Sequence, residues 1–262
     1  MKKIHLPAVA GLFYPASPEQ LRDDVRGFIA GGKNADIPTP KALIAPHAGY
    51  IYSGPIAGSA YAQLEEAGQL IKRVVLLAPS HRLAFHGIAY SSADYFQTPL
   101  GEVEVDTDAL ASITDLPQLH LIDQAFEHEH ALEVHLPFLQ ESLPGFRLVP
   151  FLVGDAGGEE VEQLLERLWG GAETLIVISS DLSHYHEYTQ AREMDSAATR
   201  AIEQLDPAAL SRDHACGRNP IKGLLLAARR HHLRALTLDQ RNSGDTAGPR
   251  HKVVGYGAYA FY

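Results

Sequence analysis

The apolar residues of this chain form two kinds of segment that alternate along it. Short runs rich in valine, isoleucine and leucine alternate with longer segments in which apolar residues recur at helical spacing. Strands buried on both faces are continuous apolar runs, whereas covering helices are apolar on one face. The pattern predicts an α/β fold with a largely parallel central sheet and flanking helices. The predicted buried strands are Ala42–Ala45, Val74–Ala78, Leu148–Val153 and Leu175–Ser179.

Capping residues mark the start of two predicted helices. Ser17 precedes Pro18 and is followed three residues later by glutamine, which predicts a helix that ends at the Gly31-Gly32 pair. Asn219 before Pro220 predicts a second helix with the asparagine as N-cap. This second helix is predicted to span Asn219–His231. The other elements predicted from periodicity are helices at Ser53–Glu66, Glu159–Trp169 and Met194–Leu205 and a closing strand at Lys252–Tyr262.

Composition favours one domain over residues 1–262 in a reducing compartment. Hydrophobic residues make up 45% of the 262 residues, the formal net charge is −10, and there is one cysteine. A chain of this kind can build one core, lacks a basic excess for nucleic acid, and forms no internal disulfide. It has no run of eighteen apolar residues and no signal-peptide pattern. We therefore expect a cytoplasmic protein with no nucleic-acid or membrane partner.

Histidines follow three of the predicted strands. His47 follows Ala42–Ala45, His81 follows Val74–Ala78, and Asp181 and His184 follow the strand that ends at Ser179. Ligands of open α/β sheets bind beyond the carboxyl ends of the strands. A metal site needs several neutral imidazoles that converge from different elements. The spacing therefore predicts a metal-binding cleft at this edge of the sheet.

A second group of histidines lies in Glu127–His135. The zinc-protease motif HExxH is absent from this segment, because no two of its histidines have the required spacing. On a helix His128 and His135 would share one face, and His130 and Glu133 another. A solvated acidic helix is the alternative. His135 is the strongest candidate, since the Leu-Pro-Phe that follows it indicates a buried, restricted position.

Cys216 is either a working thiol or an apolar filler of the core. It lies just before the predicted Asn219 cap and near Arg218, and both features lower the pKa of a thiol. The alternative is a buried structural cysteine. The Asn242–Asp245 turn is a candidate phosphate site or, as its composition favours, a surface loop.

Six motifs, in order along nearly the whole chain, resemble the Memo family, also called AmmeMemoRadiSam system protein B. They are Pro7–Pro15, Ala45–Tyr50, Pro79–His81, Glu129–Pro137, Ser179–Tyr185 and Cys216–Arg218. The resemblance implies a fold similar to class III extradiol dioxygenases and an association with radical-SAM and Ammecr-type proteins. It further implies that His47, His81 and Cys216 bind the metal and that Asp181, His184 and His135 line the pocket.

The leading functional hypothesis is a non-haem iron redox protein that acts on a small molecule in a dioxygenase-like manner. Fe(II) is the expected metal, and His184, oriented by Asp181, would exchange protons with the substrate. If Cys216 replaces the usual carboxylate ligand, the site is softer, and copper and zinc compete with iron. The alternatives are a non-catalytic metal- or peptide-binding module and a zinc-dependent hydrolase.

Overall fold

The computed structural model describes residues 2–262. Its largest sheet is mixed and has nine strands. The strands of the structure are β1 (Ile4–His5), β2 (Ala42–Ala45), β3 (Arg73–Pro79), β4 (Ile88–Tyr90), β5 (Tyr95–Thr98), β6 (Gly101–Glu104), β7 (Leu119–Leu121), β8 (Arg147–Val153), β9 (Thr174–Ser179), β10 (His184–His186), β11 (Ala235–Asn242) and β12 (Val253–Phe261). The helices are α1 (Pro18–Gly31), α2 (Tyr50–Tyr61), α3 (Thr107–Ala111), α4 (Asp123–Phe126), α5 (Leu136–Ser142), α6 (Gly158–Leu168), α7 (Tyr188–Glu203), α8 (Arg218–Arg230) and α9 (Ser243–Thr246).

The centre of the large sheet is parallel, as predicted. Strands β2, β9, β3 and β8 pair in that order, and each begins and ends within one residue of its predicted bounds. Helix α2 packs on β2, and α8 packs on β3 and β9. Outside this centre β12 pairs antiparallel with β2, and β4 pairs antiparallel with β8. The structure is thus an α/β fold whose sheet is mixed as a whole, and a small sheet of β1, β5 and β6 lies beside it.

The predicted helix starts are correct at α1 and wrong at α8. Ser17 caps α1, where its Oγ accepts a hydrogen bond from the backbone N–H of Gln20 at 3.4 Å. The N-cap of α8 is Gly217, so Asn219 and Pro220 both lie in its first turn. Proline is tolerated there because the first N–H groups of a helix have no acceptor within it. No helix in residues 2–262 is long and apolar enough to cross a membrane.

The histidine-rich segment is not an α-helix. Helix α4 ends before it at Phe126, His128 has a positive φ of 61°, and only Glu133–His135 forms a short 3-10 helix. The Glu129 carboxylate accepts hydrogen bonds from the backbone N–H groups of the next two residues, which satisfies those donors outside a helix. The expectation that His128 and His135 share one face of a helix is therefore wrong.

A buried glutamate holds the N-terminal segment against the rest of the fold. Glu133 is 3% exposed, and its carboxylate accepts hydrogen bonds from the N–H groups of Ala8 at 2.6 Å and Val9 at 3.0 Å. The hydroxyl of Tyr14, itself buried, donates a third bond to the same group. A carboxylate removed from water is stabilised only by such donors, so these three bonds fix the segment that precedes α1.

Replacement of Tyr14 by phenylalanine tests this contact. Tyr14→Phe removes one of the three donors of a buried carboxylate, and we expect the free energy of unfolding to fall by about 1–3 kcal/mol. Urea denaturation measures the loss. Tyr188→Phe is the matched control, because its hydroxyl donates to Asp245 at the surface, and we expect it to change stability by less than about 0.5 kcal/mol. Equal losses in the two variants would contradict the proposed role of Glu133.

Candidate metal centre

Three side chains with metal-binding atoms meet at the carboxyl edge of the sheet. His47 follows β2, His81 follows β3, and Cys216 lies just before α8. One ligand atom from each lies within 4.8 Å of the other two, and His47 Nε2 is 3.4 Å from Cys216 Sγ. Two imidazoles and a thiolate form a donor set that suits iron, copper or zinc. The structure thus brings together the three residues expected to bind the metal.

Hydrogen bonds determine which nitrogen of His47 is available to a metal. The hydroxyl of Ser179 donates to the backbone carbonyl of Ala131 at 2.7 Å, so its oxygen is the acceptor toward His47 Nδ1 at 2.6 Å. His47 therefore carries its proton on Nδ1. The lone pair lies on Nε2, the atom that faces Cys216.

Glu129 has the same effect on His81. Its Oε1 lies 3.0 Å from His81 Nδ1, and because a carboxylate only accepts, Nδ1 carries the proton and Nε2 is free. Burial alone would raise the pKa of Glu129, but the bonds from His81 and the backbone outweigh it and bring the pKa below its usual value. This is the carboxylate–histidine arrangement that orients metal ligands in proteins.

The atoms of His81, Glu129 and His130 also lie close enough together to hold a cation. Glu129 Oε1 already accepts bonds from His81 Nδ1 and from the backbone N–H groups of His130 and Ala131, at 3.0, 2.9 and 3.0 Å. With its lone pairs used in this way, the carboxylate orients neighbouring groups. We therefore assign Glu129 to the support of His81.

Cys216 has a raised pKa, contrary to the expectation from its sequence position. Burial, and secondarily the charge of Asp181, raise the pKa of the thiol to about 12. The helix start and Arg218 do not offset these effects, so the expected lowering is wrong. The Sγ atom accepts a bond from the backbone N–H of Asp181 at 3.3 Å. A metal cation bound to Sγ would favour the thiolate and release the proton.

Asp181 and His184 line the cleft beside these ligand atoms. Asp181 Oδ1 accepts a bond from the backbone N–H of His47 at 2.8 Å, and its Oδ2 lies 4.0 Å from His47 Nε2. Burial raises the pKa of Asp181 to about 7. The ring of His184 is fixed by the carbonyl of Leu182, 2.8 Å from its Nδ1, and not by Asp181 as expected. Its Nε2 remains available as a proton acceptor.

The histidines of the Glu127–His135 segment lie in different environments. His135 is 1% exposed in the core, where its Nδ1 lies 2.8 Å from the hydroxyl of Tyr61, and it is not part of the cleft wall. His130 does line the cleft, and its ring centroid lies 5.1 Å from that of His81. Burial lowers the pKa of His130 to about 4, so this imidazole is neutral at pH 7.

The cleft in front of the ligand atoms has a volume of about 730 Å³. Several of its residues were missed by the sequence analysis, among them Arg82, Lys252 and Tyr256. Arg82 directly follows His81, a position that could have identified it. The Asn242–Asp245 turn, which the sequence left as either a phosphate site or a surface loop, forms the start of the short helix α9 with Asn242 as N-cap. Its Ser243 also lines the cleft.

Comparison with known proteins agrees with the motifs. A family model described as Memo-like protein matches residues 5–260. The chain belongs to the Memo family. Memo relatives, each named MEMO1 family protein, include those of Sulfolobus acidocaldarius, Aquifex aeolicus and Aeropyrum pernix, which are 34%, 34% and 36% identical to this chain. The alignments cover 97%, 97% and 98% of this chain and 97%, 97% and 99% of the relatives. The resemblance inferred from the sequence is confirmed.

In this Memo-family chain, Ser179→Ala removes the acceptor that keeps the proton of His47 on Nδ1. We expect the affinity for a divalent metal to fall about 10–100-fold, the usual effect of losing such a support. Competition with a chromophoric chelator measures the affinity. Ser59→Ala is the control, because this α2 hydroxyl lies within hydrogen-bond distance of the Pro55 carbonyl and the Asp239 carboxylate and does not line the cleft. An unchanged affinity in Ser179→Ala would show that the hydroxyl does not orient His47.

Proposed function

We propose that this chain is a metal-dependent oxidoreductase that binds Fe(II) through His47, His81 and Cys216 and acts on a small molecule in the adjacent cleft. The observation that carries the proposal is the position of three ligand atoms within 4.8 Å of one another, two of them on His47 and His81, which line a cleft of about 730 Å³. Catalytic metal sites keep positions free of protein ligands, whereas structural sites are closed. The open cleft therefore supports catalysis over metal storage.

Iron is the metal that we propose, and copper and zinc are its competitors. Two imidazoles and one anionic ligand resemble the ligand set of non-haem Fe(II) oxygenases, although a thiolate is softer than the carboxylate found there. The bound metal would supply Lewis acidity and, if it is iron or copper, electron transfer. Radical-SAM and Ammecr-type proteins, which the family resemblance implies as partners, would act in the same pathway.

Asp181 and His184 are the groups that we propose for proton transfer. Efficient general acids and bases have pKa values near the working pH. Burial raises the pKa of Asp181 to about 7, and burial lowers that of His184, which keeps its imidazole neutral at pH 7. His184 Nε2 would accept a proton from a bound molecule, and Asp181 would hold or return one beside His47.

Anaerobic reconstitution with Fe(II) tests the site. We expect stoichiometric iron in the wild type and less than about a tenth of that in a His47→Ala, His81→Ala double variant, because only Cys216 of the three proposed ligands remains. Bound iron is measured after desalting. The control is His120→Ala, which removes an exposed histidine of β7. Equal iron in the wild type and the double variant would refute the assigned ligands.

The reaction class is tested by measuring the oxygen consumption of the iron-loaded protein with a panel of catechols and other oxidisable aromatics. We expect substrate-dependent consumption that is lost with the iron. Stoichiometric iron without turnover of any panel member would instead support a binding module. Turnover of a hydrolysable substrate by the zinc-loaded protein under anaerobic conditions would support a hydrolase, because zinc has no redox chemistry.

A further inference from the structure

Tyr256 is an exception among the buried tyrosines of residues 2–262. The hydroxyls of the others form hydrogen bonds within the protein: Tyr14 with Glu133, Tyr50 with Val134, Tyr61 with His135 and Tyr259 with Thr199. Tyr256 is only 2% exposed as a residue, but its hydroxyl forms no hydrogen bond within residues 2–262 and is accessible at the cleft that Tyr256 lines. The hydroxyls of largely buried tyrosines usually form hydrogen bonds, and this one is free to form its bond with a molecule in the cleft.

The position of Tyr256 indicates where its partner would bind. Tyr256 lies on β12 and lines the cleft together with Asp181 and Tyr52. Burial and the nearby Asp181 raise its pKa, so the hydroxyl keeps its proton and acts as a donor. A molecule in the cleft could therefore receive the hydrogen bond that the protein leaves unmade, provided that it presents an oxygen acceptor.

The charges around the cleft indicate that this acceptor is anionic. Arg82 and Lys252 both line the cleft, and neither forms an ion pair with another residue of the described chain. The Nζ of Lys252 instead lies 4.7 Å from the ring centroid of Tyr185. Asp181 is the one acidic residue of the cleft wall, whereas the whole chain has a net charge of −10. Unpaired cations gathered in one cleft of an acidic protein favour anions there.

We propose that Tyr256 donates a hydrogen bond to the oxyanion of a small organic acid in the cleft, and that Lys252 and Arg82 supply the opposing positive charge. The side chains of Phe13 and Tyr52, which also line the cleft, would contact the apolar body of this molecule. The inference rests on the proposed function only in placing this molecule beside the metal ligands. The oxyanion contact itself needs no metal.

Calorimetric titration of wild type and Tyr256→Phe, each metal-free and zinc-loaded, tests the contact. The probes are benzoate, the neutral benzyl alcohol, and inorganic phosphate. We expect the wild type to bind benzoate and Tyr256→Phe to bind it about tenfold more weakly, which is the loss typical of a hydrogen bond to a charged group. Both proteins should bind benzyl alcohol more weakly than the wild type binds benzoate. Lys252→Met should weaken benzoate binding and reduce its dependence on salt.

Thermal unfolding separates this role from a structural one. The Tm of Tyr256→Phe should equal that of the wild type, because no protein bond is lost. The control Tyr259→Phe lies on the same strand but loses the bond to Thr199, so its Tm should fall while benzoate binds as in the wild type. If the wild type binds phosphate but not benzoate, and Tyr256→Phe weakens phosphate binding about tenfold, the oxyanion contact is supported and its ligand is a phosphate.

Three results would overturn the inference: no binding of either anion, equal anion affinities in wild type and Tyr256→Phe, or equal affinities for benzoate and benzyl alcohol. The proposed function fails by a different result. A protein that binds benzoate through Tyr256 but binds no iron refutes the metal function alone. Stoichiometric iron without an effect of Tyr256→Phe on anion binding refutes the oxyanion contact alone.

Discussion

The hydrogen bond from Ser179 to the carbonyl of Ala131 connects the central sheet to the loop that supports both candidate histidine ligands. The parallel register pairs Ala45 with Ser179, so the serine at the end of β9 lies beside the exit of the chain from β2. The serine oxygen then accepts a hydrogen bond from His47 Nδ1. Two residues before Ala131, the carboxylate of Glu129 accepts a hydrogen bond from His81 Nδ1. One short loop thus contributes to fixing the protonated nitrogen of both imidazoles.

The charge state of the site depends on whether a cation is bound there. Burial lowers the pKa of His47 and raises those of Cys216 and Asp181, so the groups around the ligand atoms tend toward their neutral forms. A cation bound to Cys216 would favour the thiolate, because opposite charge stabilises an anion at short range. Lys252 and Arg82, farther out in the same cleft, oppose a second cation and attract an anion.

Local patterns predicted the parts of this protein that depend on local chemistry. The four central strands could be predicted because both faces are apolar, and His47, His81 and His184 because parallel strands end at one edge. Tyr256 could not, because it reaches the cleft through antiparallel pairing of β12 with a strand some two hundred residues earlier in the chain. The pKa of Cys216 was misjudged for the same reason: the helix start is visible in the sequence, whereas burial and the approach of Asp181 are tertiary.

The acidic residues of the histidine-rich segment explain why a sequence so close to a zinc-protease motif forms a different site. Glu129 and Glu133 are each 3% exposed, and each uses its carboxylate to accept backbone N–H groups. Glu129 thereby supports His81, and Glu133 holds the N-terminal segment that brings Phe13 to the cleft wall. Because both carboxylates are saturated by donors, they shape the loop around the candidate metal centre, whose ligand atoms belong to imidazoles and a thiol. The same segment therefore positions the ligand atoms and one wall of the cleft.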